Sequence, residues 1–153
     1  MNGWLACAAV LLVVGFTPVV WGVATGPLAR RVVAQNSGTS VVCLVMLLLA
    51  EGYDRPSYAD LALVLAVLGP VGTLVFARLL ADEPGAAPPG ARLVTALVAA
   101  VTVPVVLALC VATGPGRATV KLVVIGALLV AGNVVVSRTL SGSYEESDEA
   151  TRG

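Results

Sequence analysis

The sequence contains no histidine. The side chain that most often serves as a general base, and most often binds metals, is therefore missing. The three cysteines, Cys7, Cys43 and Cys110, stand far apart in apolar runs. Their spacing fits neither a disulfide framework nor a zinc knuckle, and small hydrophobes in an apolar medium are the expected reading. Aromatic residues make up 5% and charged residues 12% of the 153 positions, where soluble chains average roughly 25% charged. Nine basic side chains balance nine acidic ones, with no basic stripe, which argues against nucleic acid as a partner. Without a base–nucleophile set or metal spacing, no enzyme is expected, and no cofactor or metal.

What is present is aliphatic. Apolar residues reach 58% and the mean hydropathy is +0.98. Residues 3–25, 32–50, 61–77, 93–116 and 122–137 contain no Asp, Glu, Lys or Arg. A bilayer core about 30 Å thick needs about 20 helical residues. Lipid also forces the backbone to bond within itself, so five antiparallel transmembrane helices are expected, near 3–23, 32–50, 58–80, 93–113 and 119–140. The first has no Lys or Arg ahead of its apolar run, which is too long for a signal peptide, and reads as a permanent span.

Basic residues set orientation. Arg30, Arg31, Arg78, Arg92, Arg138 and Arg152 fall on one side of such a bundle, and Arg55, Arg117 and Lys121 on the other. The bias places the N-terminus outside and the C-terminus inside. The expected organisation is a three-helix unit at 1–81, a Pro/Gly-rich linker at 82–92, a two-helix hairpin at 93–140 and an acidic, disordered cytoplasmic tail at 141–153.

The second helix opens on Gln35-Asn36-Ser37-Gly38-Thr39-Ser40, which a lipid-facing helix does not tolerate well. Asn36, Ser40, Cys43 and Leu47 share one face of it. That face either packs on neighbouring helices or lines a polar cavity. In the third helix Ala59, Ala62, Ala66, Gly69, Thr73 and Ala77 form a small-residue stripe suited to close helix contact, while Leu63, Val67, Val71 and Leu74 suit lipid. Pro18, Pro70 and Pro104 fall within helices, where kinks are tolerated. The fifth helix carries Asn133 and Ser137 in a Val/Leu/Ala segment.

Asp60 is the only acid inside an expected span. A carboxylate there is a candidate for an ion or proton pathway. The motif Ser57-Tyr58-Ala59-Asp60 also fits a capping box, in which Asp60 starts the helix. Arg78, Lys121 and Arg138 read as snorkelling anchors at the interface.

The segment from Gly26 to Leu80 resembles the F component of the multisubunit Mrp-type cation/proton antiporters, a small three-helix membrane protein. Gly26, Pro27, Arg31, Val32, Val33 and Ala34 match the motif that follows that family's first helix. Tyr58, Asp60, Ala62 and Leu63 match the start of its third. Arg30 and Asn36 stand where the family has acids, so a proton role at either position does not carry over. Residues 118–126 and 133–140 are similar to the last helix of the G component of the same antiporters, without the motifs that precede it there.

The resemblance implies an accessory subunit of a sodium(potassium)/proton antiporter in the cell membrane. Its implied partners are other membrane subunits, with transported monovalent cations and protons. A non-transporting membrane assembly or interaction protein is the alternative. Asn36, Ser40, Gly69 and Thr73 are the candidate packing and polar face, and Asp60 the candidate ion-pathway residue.

Overall fold

A computed structural model describes residues 3–25, 28–79 and 91–152. Five helices follow one another: α1 (Gly3–Ala24), α2 (Leu28–Gly52), α3 (Ser57–Leu79), α4 (Ala91–Thr113) and α5 (Arg117–Arg152). Each contains a segment long and apolar enough to cross a membrane. The all-helical, five-span expectation therefore agrees with the structure, and the chain is a multi-pass membrane protein.

Two tight turns make the hairpins. At the end of α2, the N–H of Arg55 donates to the Ala50 carbonyl at 2.9 Å and that of Asp54 to the Glu51 carbonyl at 3.4 Å. This is a Schellman closure, and Asp54 takes the left-handed position at φ 52°. Asp tolerates that conformation because its short polar side chain offsets part of the steric cost. α4 ends on Gly114 at φ +70°, followed by Pro115, which cannot continue the helix.

α2 is the shaft of the bundle: 72% of its span is buried, against 17% for α1, α3 and α4. Among the described residues, α1 packs on α2 alone. α2, α3, α5 and α4 form a ring of four, with contacts between each successive pair and a thinner one across the diagonal from α2 to α5. The hairpin α4–α5 thus packs against α2 and α3. Cys43, Leu44, Leu47, Ala62, Ala66, Leu109 and Ile125 make the fully enclosed centre. Outward faces are aliphatic, with Val13, Val14, Leu61, Val64, Leu107 and Val111 exposed as a lipid-facing surface requires.

Small residues let the helices close. Ala62 and Ala66 of the α3 stripe are fully buried and Thr73 nearly so, while Val67, Val71 and Leu74 are exposed. Leu63 differs from the lipid-facing expectation: it packs against the core, because it lies beside Ala62 and Ala66 on the edge of the buried face. The side chain of Ala77 lies outside the described residues. Gly132 of α5 sits against the ring of Pro70, where a Cβ would overlap the ring atoms. Pro70 thus occupies a notch that only glycine leaves open.

The helix α5 continues through residues 141–152, where a disordered tail is expected. A helix already nucleated inside the bundle extends at little cost, and no proline interrupts that stretch. Of the expected linker, residues 82–90 lie outside the described residues, as do Gly26 and Pro27.

Replacing Gly132 by Ala should lower the thermal stability of the detergent-solubilised protein by about 1–3 kcal/mol through overpacking against Pro70. Gly72→Ala is the reference, since no atom lies within 4 Å of the added Cβ. There, stability should hold or rise by up to about 1 kcal/mol. Circular-dichroism melts of the two variants make the comparison.

Candidate functional site: a buried amide junction and a charged rim

Three helices bring polar side chains to one point. Asn36 and Ser40 come from α2, Thr73 from α3 and Asn133 from α5, and all four are buried. Asn36 Nδ2 donates to Asn133 Oδ1 at 2.9 Å. Asn133 Nδ2 donates to the Leu129 carbonyl at 2.9 Å and to Ser40 Oγ at 3.3 Å. The Ser40 hydroxyl donates to the Asn36 carbonyl at 3.2 Å. Thr73 Oγ1 lies 3.0 Å from the Gly69 carbonyl and 3.5 Å from Asn36 Oδ1. These assignments take the amide orientations that complete the network. Among the described residues, no buried side-chain nitrogen or oxygen is left without a partner.

This arrangement explains why α2 carries its polar run. Lipid tails offer no hydrogen bonds, so the amides and hydroxyls must find one another inside the bundle. Ser37 and Thr39 instead bond back to the Val33 and Gln35 carbonyls of their own helix. Gly69 completes the junction from α3. A Cβ there would come within 2.9 Å of Thr39 Cγ2 and 3.7 Å of Asn36 Oδ1. The absent side chain is what lets α3 reach the polar turns of α2.

The structure therefore gathers Asn36, Ser40, Gly69 and Thr73 into one site and adds Asn133, which comes from 97 residues along the chain from Asn36. Of the candidate face on α2, Cys43 and Leu47 continue inward, fully buried. The Cys43 thiol points at the Ala62 carbonyl, 3.5 Å away. A shallow cleft of about 170 Å³ opens beside the junction between α2 and α3, bordered by Gln35, Thr39, Gly72 and Phe76.

Asp60 lies elsewhere. Its carboxylate accepts from Lys121 Nζ at 2.6 Å, joining the first turns of α3 and α5. Asp60 is 60% exposed and Lys121 48%, so the pair sits on the rim of the bundle rather than within it. At that exposure an ion pair is worth about 1 kcal/mol at most. The capping box expected at Ser57 is not formed. The Asp60 N–H donates to the Pro56 carbonyl at 3.3 Å. The ammonium of Lys121 takes the carboxylate because a charged donor binds it more strongly than a backbone N–H. Lys121 is thus paired, while Arg78 and Arg138 stand exposed at the opposite end, beside Arg30 and Arg31.

Read from the sequence alone, Asn133 has no partner and Lys121 is a lone anchor. The signal for the first pairing is an amide following glycine, Gly132-Asn133, in an otherwise aliphatic helix. For the second it is the equal placement of Asp60 and Lys121 near the starts of their helices.

Residues 29–81 match the model of the family described as multiple resistance and pH regulation protein F (MrpF / PhaF). The match covers α2 and α3, the two helices that supply three of the four polar side chains. The helices α4 and α5, with Asn133 and Lys121, lie outside it. No curated protein and no solved structure matches the chain.

A double-mutant cycle on Asn36→Ala and Asn133→Ala should return a coupling energy of about 1 kcal/mol, in the range of hydrogen bonds between membrane helices. Additive effects of the two substitutions in an unfolding titration would mean that the amides do not bond. Asn133→Leu alone should destabilise by about 1–3 kcal/mol, because it strands the buried Asn36 amide.

Proposed function

Because residues 29–81 match the MrpF/PhaF family, we propose that this chain is an accessory membrane subunit of a multisubunit sodium(potassium)/proton antiporter. It contributes to assembly of the complex and borders part of its ion or proton route. The observation that carries this reading is the junction of Asn36, Ser40, Thr73 and Asn133. In it the family segment is hydrogen-bonded to a second hairpin. A neutral amide at position 36 neither takes up nor releases a proton near neutral pH, so the junction serves structure and not proton transfer. The proton gradient supplies the energy, and the larger subunits of the complex do the transport.

The basic residues support an N-terminus outside and a C-terminus in the cytoplasm, at the cell membrane. Arg30, Arg31, Arg78 and Arg138 would then face the cytoplasm. The rim that holds Asp60 and Lys121 would face outward, at the mouth of a route for cations or protons. Aromatic residues fall near both boundaries, with Trp4, Tyr53 and Tyr58 at the outer one and Trp21 and Phe76 toward the inner.

Vesicles carrying the full set of subunits should lose sodium-driven proton flux when this chain is deleted, down to the level of empty vesicles. Intact flux and intact assembly without it reject the proposal. Gly69→Leu should reduce recovery of the complex by forcing α3 from α2. Asp60→Asn should lower flux with the complex intact; flux unchanged in that variant would favour a purely structural assembly protein. For orientation, a cysteine placed at Asp54 should react with an impermeant thiol reagent from outside, and one at Arg31 only after permeabilisation.

A further inference from the structure

Both α1 and α3 pack on α2, yet among the described residues their backbones do not come together. The strip of α2 between them is only partly covered: Gln35 is exposed, and Thr39 and Val42 are half-buried. Two clefts meet along this strip and share Gln35, Thr39 and Leu65 as walls. One lies between α2 and α3; the other, of about 680 Å³, is walled by Phe16, Val20 and Val23 of α1. Together they form one groove, open to the membrane.

The groove is not purely apolar. Gln35 is exposed in it, and its side chain makes no hydrogen bond among the described residues. Counted from the middle of the span 30–52, Gln35 lies roughly 9 Å and Thr39 roughly 3 Å from the bilayer centre, both within the ~15 Å half-thickness of hydrocarbon. Hydroxyl protons are already used nearby. Thr39 donates to the Gln35 carbonyl at 3.2 Å, which leaves its hydroxyl oxygen as an acceptor on the groove wall. Beyond the Gln35 amide, the polar wall thus presents oxygen lone pairs in search of a donor.

We propose that this groove seats a transmembrane helix of a different membrane subunit, one that places a hydrogen-bond donor side chain at the level of Gln35 and Thr39. The proposal rests on reading the chain as part of a larger complex, and it locates the contact. Acyl chains fill an apolar groove but carry no donor, so they leave Gln35 unpaired in hydrocarbon. A second copy related by a two-fold axis would set one concave strip against another and leave a void between them. A single helix, about 10 Å across, can lie along a groove flanked by two helices. Gly72 faces open space on the α3 side, which permits close approach.

The test uses the full chain expressed with the complete set of antiporter subunits, with photoreactive benzoylphenylalanine replacing Leu68 on the groove wall. The same replacement at Leu107, exposed on α4, is the control. Irradiated membranes should yield an adduct between position 68 and a different multi-span subunit, identified by mass spectrometry, with little from position 107. Adding Gln35→Leu and Thr39→Val should cut that yield about three- to tenfold, as expected for losing one or two interhelical hydrogen bonds. Chain levels in the membrane should hold, since Gln35 is exposed and valine keeps the shape of Thr39 against Gly69. An adduct of twice the chain's mass, adducts with lipid alone, or a yield indifferent to the two substitutions would overturn the proposal. A multi-span partner foreign to antiport would support the groove while rejecting the proposed function.

Discussion

Hydrocarbon cannot hydrogen-bond, and the rest of this structure depends on that constraint. The chain places Gln, Asn, Ser and Thr in the first half of a transmembrane helix. Such a helix is stable only if other helices enclose it and answer its polar groups. That is the position α2 occupies, with α1 on one flank and α3, α4 and α5 on others, leaving only the strip that carries Gln35 open. The exchange between Asn36 and Asn133 at 2.9 Å, with Ser40 and Thr73 beside it, is the most direct expression of the rule. It also ties the hairpin α4–α5 to the segment 29–81, so the C-terminal helices are part of the same packed body.

Between membrane helices there is no gain from excluding water, since lipid is as apolar as leucine. Close packing and hydrogen bonds must do the work. The structure uses glycine for both. Gly69 lets α3 approach Thr39 and Asn36, and Gly132 leaves a notch for the Pro70 ring. The two lie one turn from Thr73 and adjacent to Asn133, so steric fit and hydrogen bonding operate at one place. Packing and hydrogen bonding between helices thus account for the buried polar residues at this point.

The charged groups follow a different logic. Asp60 and Lys121 meet at the rim, joining the first turns of α3 and α5, and neither is enclosed. Two further polar positions lie toward the other end. Arg30 is exposed at the boundary and Asn36 is inside the junction. An ionised aspartate at position 36 would have no donor to offer Asn133 Oδ1. Asparagine fits there because its Nδ2 supplies the donor that Asn133 Oδ1 requires.

Charge-free windows of about twenty residues, and the turns that separate them, already determined five spans, their antiparallel order and the division of basic residues between two ends. Those properties depend on local composition measured against a slab of fixed thickness, so no tertiary information was needed. The small-residue stripe on α3 and the polar face of α2 could also be read, because helical periodicity alone puts those residues on common faces. Pairing was different. Nothing in the order of residues says that Asn133 answers Asn36, that Lys121 answers Asp60, or that Gly132 receives Pro70. Each pair joins helices distant in sequence, and which faces meet depends on how five helices of similar apolarity are arranged around α2. Only the tertiary structure decided that arrangement, because packing between such helices turns on shape and hydrogen bonds at a few points rather than on hydropathy.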